Sequence, residues 1–383
     1  MRTLFSIPRD IAYLNAAAYG PLPDVVRDAG VAGAAEKSLP WTLDRPGAEA
    51  LAERVRGAAA RLIGAEAGDV AIMGSVSHAM ATAGRVLAAA GRVPRGTRVL
   101  RVAGEQSSQA LEWQRLASEQ GAVLEIVARP ADQDWTAAVL ESIERAGAGP
   151  VSVAALTPLH WTDGTVIDLG RIGAALRRQG AALVVDATQA AGATPIDVGR
   201  LQPDFLAYPT YKWVLGSYNL AFLYAAPEWQ GGEPLERNGY NCEADEAVLD
   251  IGLKPGARRY DMGERNNPVA LPMAEAALNL VLGWGVEDVE RRLRRLTDRL
   301  AEVAEGLGLG VAPGRLRSAH ILGVRIPGGA AAVLGSLAAR QVFVSDRQGV
   351  LRVSPHVYND EEDVARFTAA LGALVGRREE ARV

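Results

Sequence analysis

Residues 181–216 read AALVVDATQAAGATPIDVGRLQPDFLAYPTYKWVLG, two apolar runs that each give way to polar side chains. The first run ends on Asp186, and Lys212 stands just beyond the second, 26 residues further on. Near-continuous apolar runs of this length are strands buried on both faces, as in a parallel sheet covered by helices. Lysine is scarce here: Lys37, Lys212 and Lys254 are the three lysines among 41 basic residues, and the others are arginine. One of the three sits between Tyr211 and Trp213 at a strand end. A desolvated primary amine has a lowered pKa and can act as nucleophile or base, a task that a guanidinium does not perform.

On the N-terminal side the same alternation continues back to about residue 50. ALAERVRGAAARLIGA has helical apolar spacing, DVAIMGS is a short strand, and SHAMATAGRVLAAAG is the helix after it. RVLRVAGEQSS, AVLEIVARP and VSVAALTPLHWTDG add strands with helical segments between them, and NLAFLYAAP completes the set. The pattern predicts an α/β fold whose mostly parallel sheet is sandwiched by helices, with ligands bound beyond the C-terminal strand ends. Residues 230–260 are irregular; two long helical patterns and short mixed segments then predict a smaller C-terminal α+β domain. The expected division is an N-terminal segment, 1–20, packing with the small domain, a large domain over 21–255, and the small domain over 256–383.

Composition narrows the function classes. Over 383 residues, 49% are hydrophobic and 22% charged, with a formal net charge of −4. Mixed charges of that balance leave no electrostatic footprint for nucleic acid or an anionic membrane. The apolar runs fall short of the roughly 20 residues of a membrane span, and MRTLFSIPRD lacks a signal core, so a cytoplasmic setting is expected. One cysteine, Cys242, excludes an intramolecular disulfide, and it forms no metal-ligand spacing with the four histidines, so no metal is expected.

Chemistry-bearing residues gather at strand ends. Ser75, Ser77 and His78 lie where a strand turns into a helix, whose first N–H groups and nearby hydroxyls suit a phosphate; the plainer reading of Ser75 is a helix N-cap. Asp186 suits a cationic ring nitrogen. A phosphate seat, a strand-end acid and a strand-end amine together are what pyridoxal phosphate requires.

With these residues in place, the chain resembles the class V (fold type I) pyridoxal-phosphate enzymes, a superfamily of aminotransferases, cysteine desulfurases, kynureninases and epimerases. YLNAAAYGPLP (13–23), VVDATQAAGATPIDV (184–198), DFLAYPTYKWVLG (204–216) and LRVSPHVYNDEEDV (351–364) carry the resemblance. It implies that Lys212 forms the imine with the cofactor and that Asp186 partners its pyridinium. Gln189 would meet the phenolic oxygen, and Ser75, Val76, Ser77 and Tyr211 the phosphate. Gln106 stands where relatives place a histidine or aromatic ring over the pyridine. In a stretch (258–267) where a neighbouring subunit commonly offers the phosphate a threonine, this chain has Glu264, and Arg265, Asn266 or Asn267 would supply the cofactor contact instead, Asn266 being the one chosen. Arg352 would hold the substrate α-carboxylate, with Trp161 and Asn15 alongside; Trp161 and His160 are each balanced between core and site, and His356 and Tyr358 read first as packing or turn residues.

The resemblance also implies an amino-acid substrate and a homodimer with shared active sites, the 230–267 segment reaching toward the partner. FVSDRQGVLR (343–352) contains no cysteine, which disfavours a persulfide-forming desulfurase. Cα deprotonation leads to transamination, β-elimination at a C–S or C–C bond, or epimerisation; transamination ranks first because it needs no further group. A binding or regulatory protein on the same fold is the reading from another class, and intact Lys212, Asp186, Gln189 and Arg352 argue against it.

Overall fold

The computed structural model describes residues 1–243 and 252–380. Strand β1 (Ala12–Tyr13) comes first, then helices α1 (Asp24–Lys37) and α2 (Arg45–Leu62), the latter capped by Asp44, whose carboxylate accepts from Gly47 N–H. Strands β2 (Val70–Met73), β3 (Arg98–Val102), β4 (Val123–Val127), β5 (Val151–Leu156), β6 (Ala182–Asp186), β7 (Phe205–Pro209) and β8 (Ala221–Ala225) form one seven-stranded sheet. Between them run α3 (Val76–Ala89), α4 (Ser107–Gln120), α5 (Trp135–Glu144), α6 (Leu169–Arg178) and the single turn α7 (Val198–Leu201).

The sheet order is β2-β8-β7-β6-β5-β3-β4, parallel except at β8, which is antiparallel to both neighbours. Because β8 runs against both β2 and β7, strands β2 to β7 all point the same way. Their C-terminal ends therefore lie along one edge, where loops from distant parts of the chain converge. The mostly parallel, helix-covered sheet expected from the apolar runs is what the structure contains.

Burial explains why those runs do not alternate in polarity. Val153, Val184, Phe205 and Ala207 face α3 and α4, while Ala154, Leu183, Val185 and Leu206 face α2, α5 and α6. Successive residues of a strand point to opposite faces, so a strand covered on both sides is apolar at every position. The edge strand β4 differs: Val123 and Ile126 are exposed, and Glu125 pairs with Arg98 of β3.

Helix α8 (Ala270–Trp284) packs on α1 and α2, and its buried face joins the large core. Helix α9 (Val286–Gly306) leads into the smaller unit. There β9 (Gly310–Val311), β10 (Leu322–Arg325), β12 (Ser345–Arg347) and β13 (Val350–Val353) form an antiparallel sheet in the order β12-β13-β10-β9. Strand β11 (Val342–Phe343) pairs in parallel with β1, and α10 (Ala331–Ala338) and α11 (Glu361–Glu380) cover the core. The N-terminal segment is bound into this unit: Ala12 and Leu14 are buried in its core, and Leu14 carbonyl accepts from Ser354 N–H at 2.8 Å. Part of the expected subunit-reaching segment, residues 244–251, lies outside the described residues.

Candidate active site

The convergent edge of the sheet holds two adjoining cavities of about 250 and 270 Å³. They share Gln106, Tyr211, Lys212 and Tyr218, so Lys212 stands where one opens toward the other.

Lys212 is 7% exposed. Burial, reinforced by the positive charge of Arg352, pulls its ammonium down to about 8, while Asp186 pulls the other way. Its place is set by backbone packing: Gly20 N–H donates to Tyr211 carbonyl at 3.1 Å, and a Cβ on Gly20 would stand 2.1 Å from Lys212 carbonyl oxygen. Only glycine permits that approach. The next residue, Trp213, is clamped on several sides. Its indole N–H donates to Gln189 Oε1 at 2.8 Å, His356 stacks on its ring and His320 meets it edge-on. Burial pushes His356 down to about 4 and His320 to about 3, so both rings are neutral near pH 7 and serve to hold the lysine turn. Tyr358, stacked on His356, completes this packing, as the sequence reading expected of both.

The larger sheet edge supplies the rest of the first cavity. Ser75 caps α3 by accepting from His78 N–H at 3.1 Å, so the cap and the phosphate-seat readings describe one turn. Gly74, Ser75, Val76 and Ser77 all line the cavity. Asp186 lies at the end of β6, 4% exposed; burial raises its pKa, and Thr188 N–H donates to Oδ1 at 2.9 Å in opposition. Gln106, the residue before α4, makes no capping bond with its side chain and faces both cavities. Gln189 lines the first cavity while its amide is held between Trp213 and Ala17 carbonyl.

The second cavity faces the small domain. Arg352 of β13 is held between Gly323 of β10 and Ser345 of β12 in the sheet register. Its side chain is 1% exposed; Nη1 donates to Trp161 carbonyl at 2.9 Å, and its Nε is buried without a partner among the described residues. Burial and then the charge of Arg347 push its pKa down to about 9, which leaves the guanidinium charged at neutral pH. Trp161 lines the first cavity, anchored by its indole N–H to Gly104 carbonyl at 2.7 Å.

Several residues named from the sequence lie elsewhere. Asn15 is outside both cavity walls and pairs through its backbone with Ser354. Asn266 is hydrogen-bonded to Glu49 and Arg265, and Glu264 is exposed at a turn with φ of 56°. His160 stacks on Trp135 and bonds Thr162 and Ala103 carbonyl, a core arrangement. Cys242 is buried beside Asn241, away from either cavity.

Lining residues that the sequence reading did not single out include Glu105, Thr157, Tyr218 and Arg347. Glu105 lies just past the end of β3, much as Asp186 closes β6, a signal that was readable. Its Oε2 is buried without a partner among the described residues, and burial followed by repulsion from Asp186 raises its carboxyl to about 8. A neutral acid therefore stands beside Asp186 at pH 7.

Comparison with known proteins accords with this geometry. The family model described as Aminotransferase class-V matches residues 44–367. The chain belongs to that family. The uncharacterized aminotransferase YcbU of Bacillus subtilis is 30% identical over 325 residues, covering 82% of this chain and 80% of its own. A probable cysteine desulfurase of Pyrococcus abyssi is 28% identical over 298 residues, 73% of each chain. Among solved structures, the apo cysteine desulfurase of Thermococcus onnurineus NA1 superposes with a TM-score of 0.84 at 22% identity, covering 98% of this chain and 97% of that one. This class V protein is thus an enzyme, and pyridoxal phosphate is its cofactor. The donor set in the first cavity fits that group: helix N-terminal N–H groups and two serine hydroxyls for a dianion, a buried carboxyl for a ring nitrogen, and a desolvated amine.

Proposed function

We propose that this enzyme is an aminotransferase acting on an α-amino acid. The observation that carries the reading is the position of Lys212, a buried amine with its pKa near 8, between the carboxyl of Asp186 and the guanidinium of Arg352. Pyridoxal phosphate, when bound, would supply an electron-accepting ring.

The chain's own residues do the remainder. Arg352 binds the α-carboxylate, its planar fork oriented by Trp161 carbonyl. Lys212 Nζ takes the proton from the substrate Cα, an amine with pKa near 8 being matched to that task at neutral pH. Asp186 holds the proton on the ring nitrogen; a cation there offsets the burial that raises its pKa. The first turn of α3, with Ser75 and Ser77, holds the phosphate. Burial of Lys212, Asp186 and Arg352 limits water at the reacting carbon.

Transamination is favoured over a persulfide-forming reaction because neither cavity is lined by a cysteine, and Cys242 is packed beside Asn241. It is favoured over β-elimination because no group beyond these is required. The same reading takes the working form as a cytoplasmic homodimer.

The deciding experiment incubates the purified holoenzyme with a panel of amino acids. Conversion of cofactor to pyridoxamine phosphate with release of the matching 2-oxo acid is expected. Release of pyruvate, sulfide or alanine without it identifies a β-lyase, and loss of chirality alone an epimerase.

A further inference from the structure

The second cavity carries more positive charge than one α-carboxylate accounts for. Arg347 and Arg352 both face it, and among the described residues no acid lines it. Each guanidinium lies over the same indole, Arg347 at 5.9 Å and Arg352 at 5.8 Å from the Trp161 ring centre. Neither has an ion-pair partner among the described residues: Arg352 donates to Trp161 carbonyl, and Arg347 Nη1 to the carbonyl of Asp346 at 2.9 Å. Most arginines in this chain that reach an acid do so at the surface, as Arg115, Arg237 and Arg299 do.

Arg347 is held in place. It ends β12, on a tight hairpin that Asp346 closes by accepting from Gly349 N–H at 2.8 Å. That bond commits the adjacent carboxylate to the turn. Gln348 at the tip donates to Gly104 carbonyl at 3.2 Å, the oxygen that also receives the Trp161 indole N–H. The hairpin is thereby tied to the sheet edge, with Arg347 turned to the cavity beside Lys212 and Arg352.

Two like charges held on one ring, with no acid among the cavity's lining residues, raise each other's energy unless a ligand brings matching negative charge. On the aminotransferase reading above, Arg352 takes the α-carboxylate. We propose that Arg347 takes a second carboxylate, so that the substrate is a dicarboxylic α-amino acid and Arg347 is its specificity-determining residue. The indole of Trp161 spaces the two guanidiniums and fixes their separation, which selects the length of the carbon chain between the two acid groups.

The test uses ligands that carry no amine, so that binding is read without reaction. The holoenzyme, with its cofactor absorbance verified, is titrated calorimetrically with succinate, glutarate and adipate and with the monocarboxylates butyrate, valerate and hexanoate. An added charge-assisted contact is expected to make at least one diacid bind about tenfold more tightly than any monoacid. Arg347→Gln is expected to erase that preference and leave monoacid affinity unchanged, whereas Arg352→Gln weakens both classes. If Arg347→Gln weakens monoacids and diacids by the same factor, both arginines grip one carboxylate and the proposal is wrong. It is equally wrong if no diacid binds more tightly than the monoacids. Failure of the aminotransferase reading is recognised separately, by absence of pyridoxamine phosphate in the amino-acid panel while the diacid preference persists.

Discussion

Arg352 is bound to Trp161 twice over, through a 2.9 Å hydrogen bond to its carbonyl and by a guanidinium lying 5.8 Å from the centre of its indole. The carbonyl contact survives any substitution at 161 that keeps the backbone in place, whereas the ring contact does not. A cation over an aromatic face in a partly desolvated site contributes about 0.5–2 kcal/mol. Trp161→Ala is therefore expected to raise KM for the amino acid about 2- to 30-fold, with a smaller change in kcat. Steady-state kinetics on the holoenzyme checks this, and a fall in kcat with constant KM contradicts the anchoring role.

Lys212→Arg keeps a positive charge at the same backbone position and removes the imine-forming amine. The variant is expected to fold, since Trp213, His356 and His320 pack the turn independently of the lysine tip. After borohydride treatment and denaturation it should retain no covalently bound cofactor, while the parent does. Turnover is expected to fall by about 10² or more, the usual scale for loss of a positioned base. Cofactor fixed to the variant at another residue would overturn the assignment.

Asp186→Asn tests the ring partner with little structural cost. An amide oxygen can still accept from Thr188 N–H, the 2.9 Å bond that orients the side chain. The negative charge is lost, and with it the means to hold a proton on the ring nitrogen. A fall in kcat of roughly 10²–10³ is expected, the scale of removing one preorganised electrostatic partner. The cofactor's absorbance should also shift with the altered protonation, which a merely structural role for Asp186 would not produce.

What could be read in advance depended on rarity and on local order along the chain. Lys212 and Asp186 were legible because a lone lysine and a lone acid each follow a buried strand. The sheet itself was legible because apolar runs such as ALVVD have few other places to go. Arg347 was not, for in a chain with this much arginine a residue in SDRQG looks like any polar hairpin tip. Its meaning comes from the hairpin docking on Gly104, a contact 244 residues distant in sequence. Glu105 stood in plain view before Gln106, yet its raised pKa comes first from burial at the assembled sheet edge and then from Asp186, which arrives three strands later in the chain. Histidines at 160, 320 and 356 carry the opposite lesson. Types suited to catalysis are used here to pack rings and anchor carbonyls, and the sequence has no local mark of that.

The lowered pKa of Lys212 has a measurable consequence for cofactor-free protein. Its folded-state value is near 8 against an ordinary 10.5, so between these values the unfolded chain binds more protons than the folded one. Stability then rises with pH across that window, and the penalty for burying the charge is complete below pH 8. The difference amounts to about 3 kcal/mol for one such group. Lys212→Met removes the titration while filling similar space. Urea unfolding at pH 7.5 and 9.5 should show the parent gaining stability relative to the variant as pH rises. Parallel responses in the two proteins would mean that the lysine titrates normally.

An ion cluster secures β2 next to the chain's return toward α8. Asp261 and Arg56 are both fully buried and share two hydrogen bonds, at 2.9 and 2.7 Å, while Arg265 pairs with the same carboxylate at 3.0 Å and Ile72 N–H donates to it at 2.8 Å. One carboxylate thus meets two guanidiniums and satisfies a strand N–H, while Glu53 and Glu49 give Arg56 and Arg265 a second acid each. Asp261→Asn preserves the size of the side chain but leaves the buried Arg56 with only the half-exposed carboxylate of Glu53, at 3.0 Å, as its counter-charge. A buried charge left with no partner costs about 3–5 kcal/mol, which is an upper bound here because Glu53 and Glu49 remain, whereas replacing both partners by apolar groups is far milder. The urea midpoint of Asp261→Asn is expected to drop accordingly, and the double variant Arg56→Met/Asp261→Leu to recover part of the loss. A midpoint unchanged in the single variant would show that the cluster is solvated and that β2 is held by packing alone.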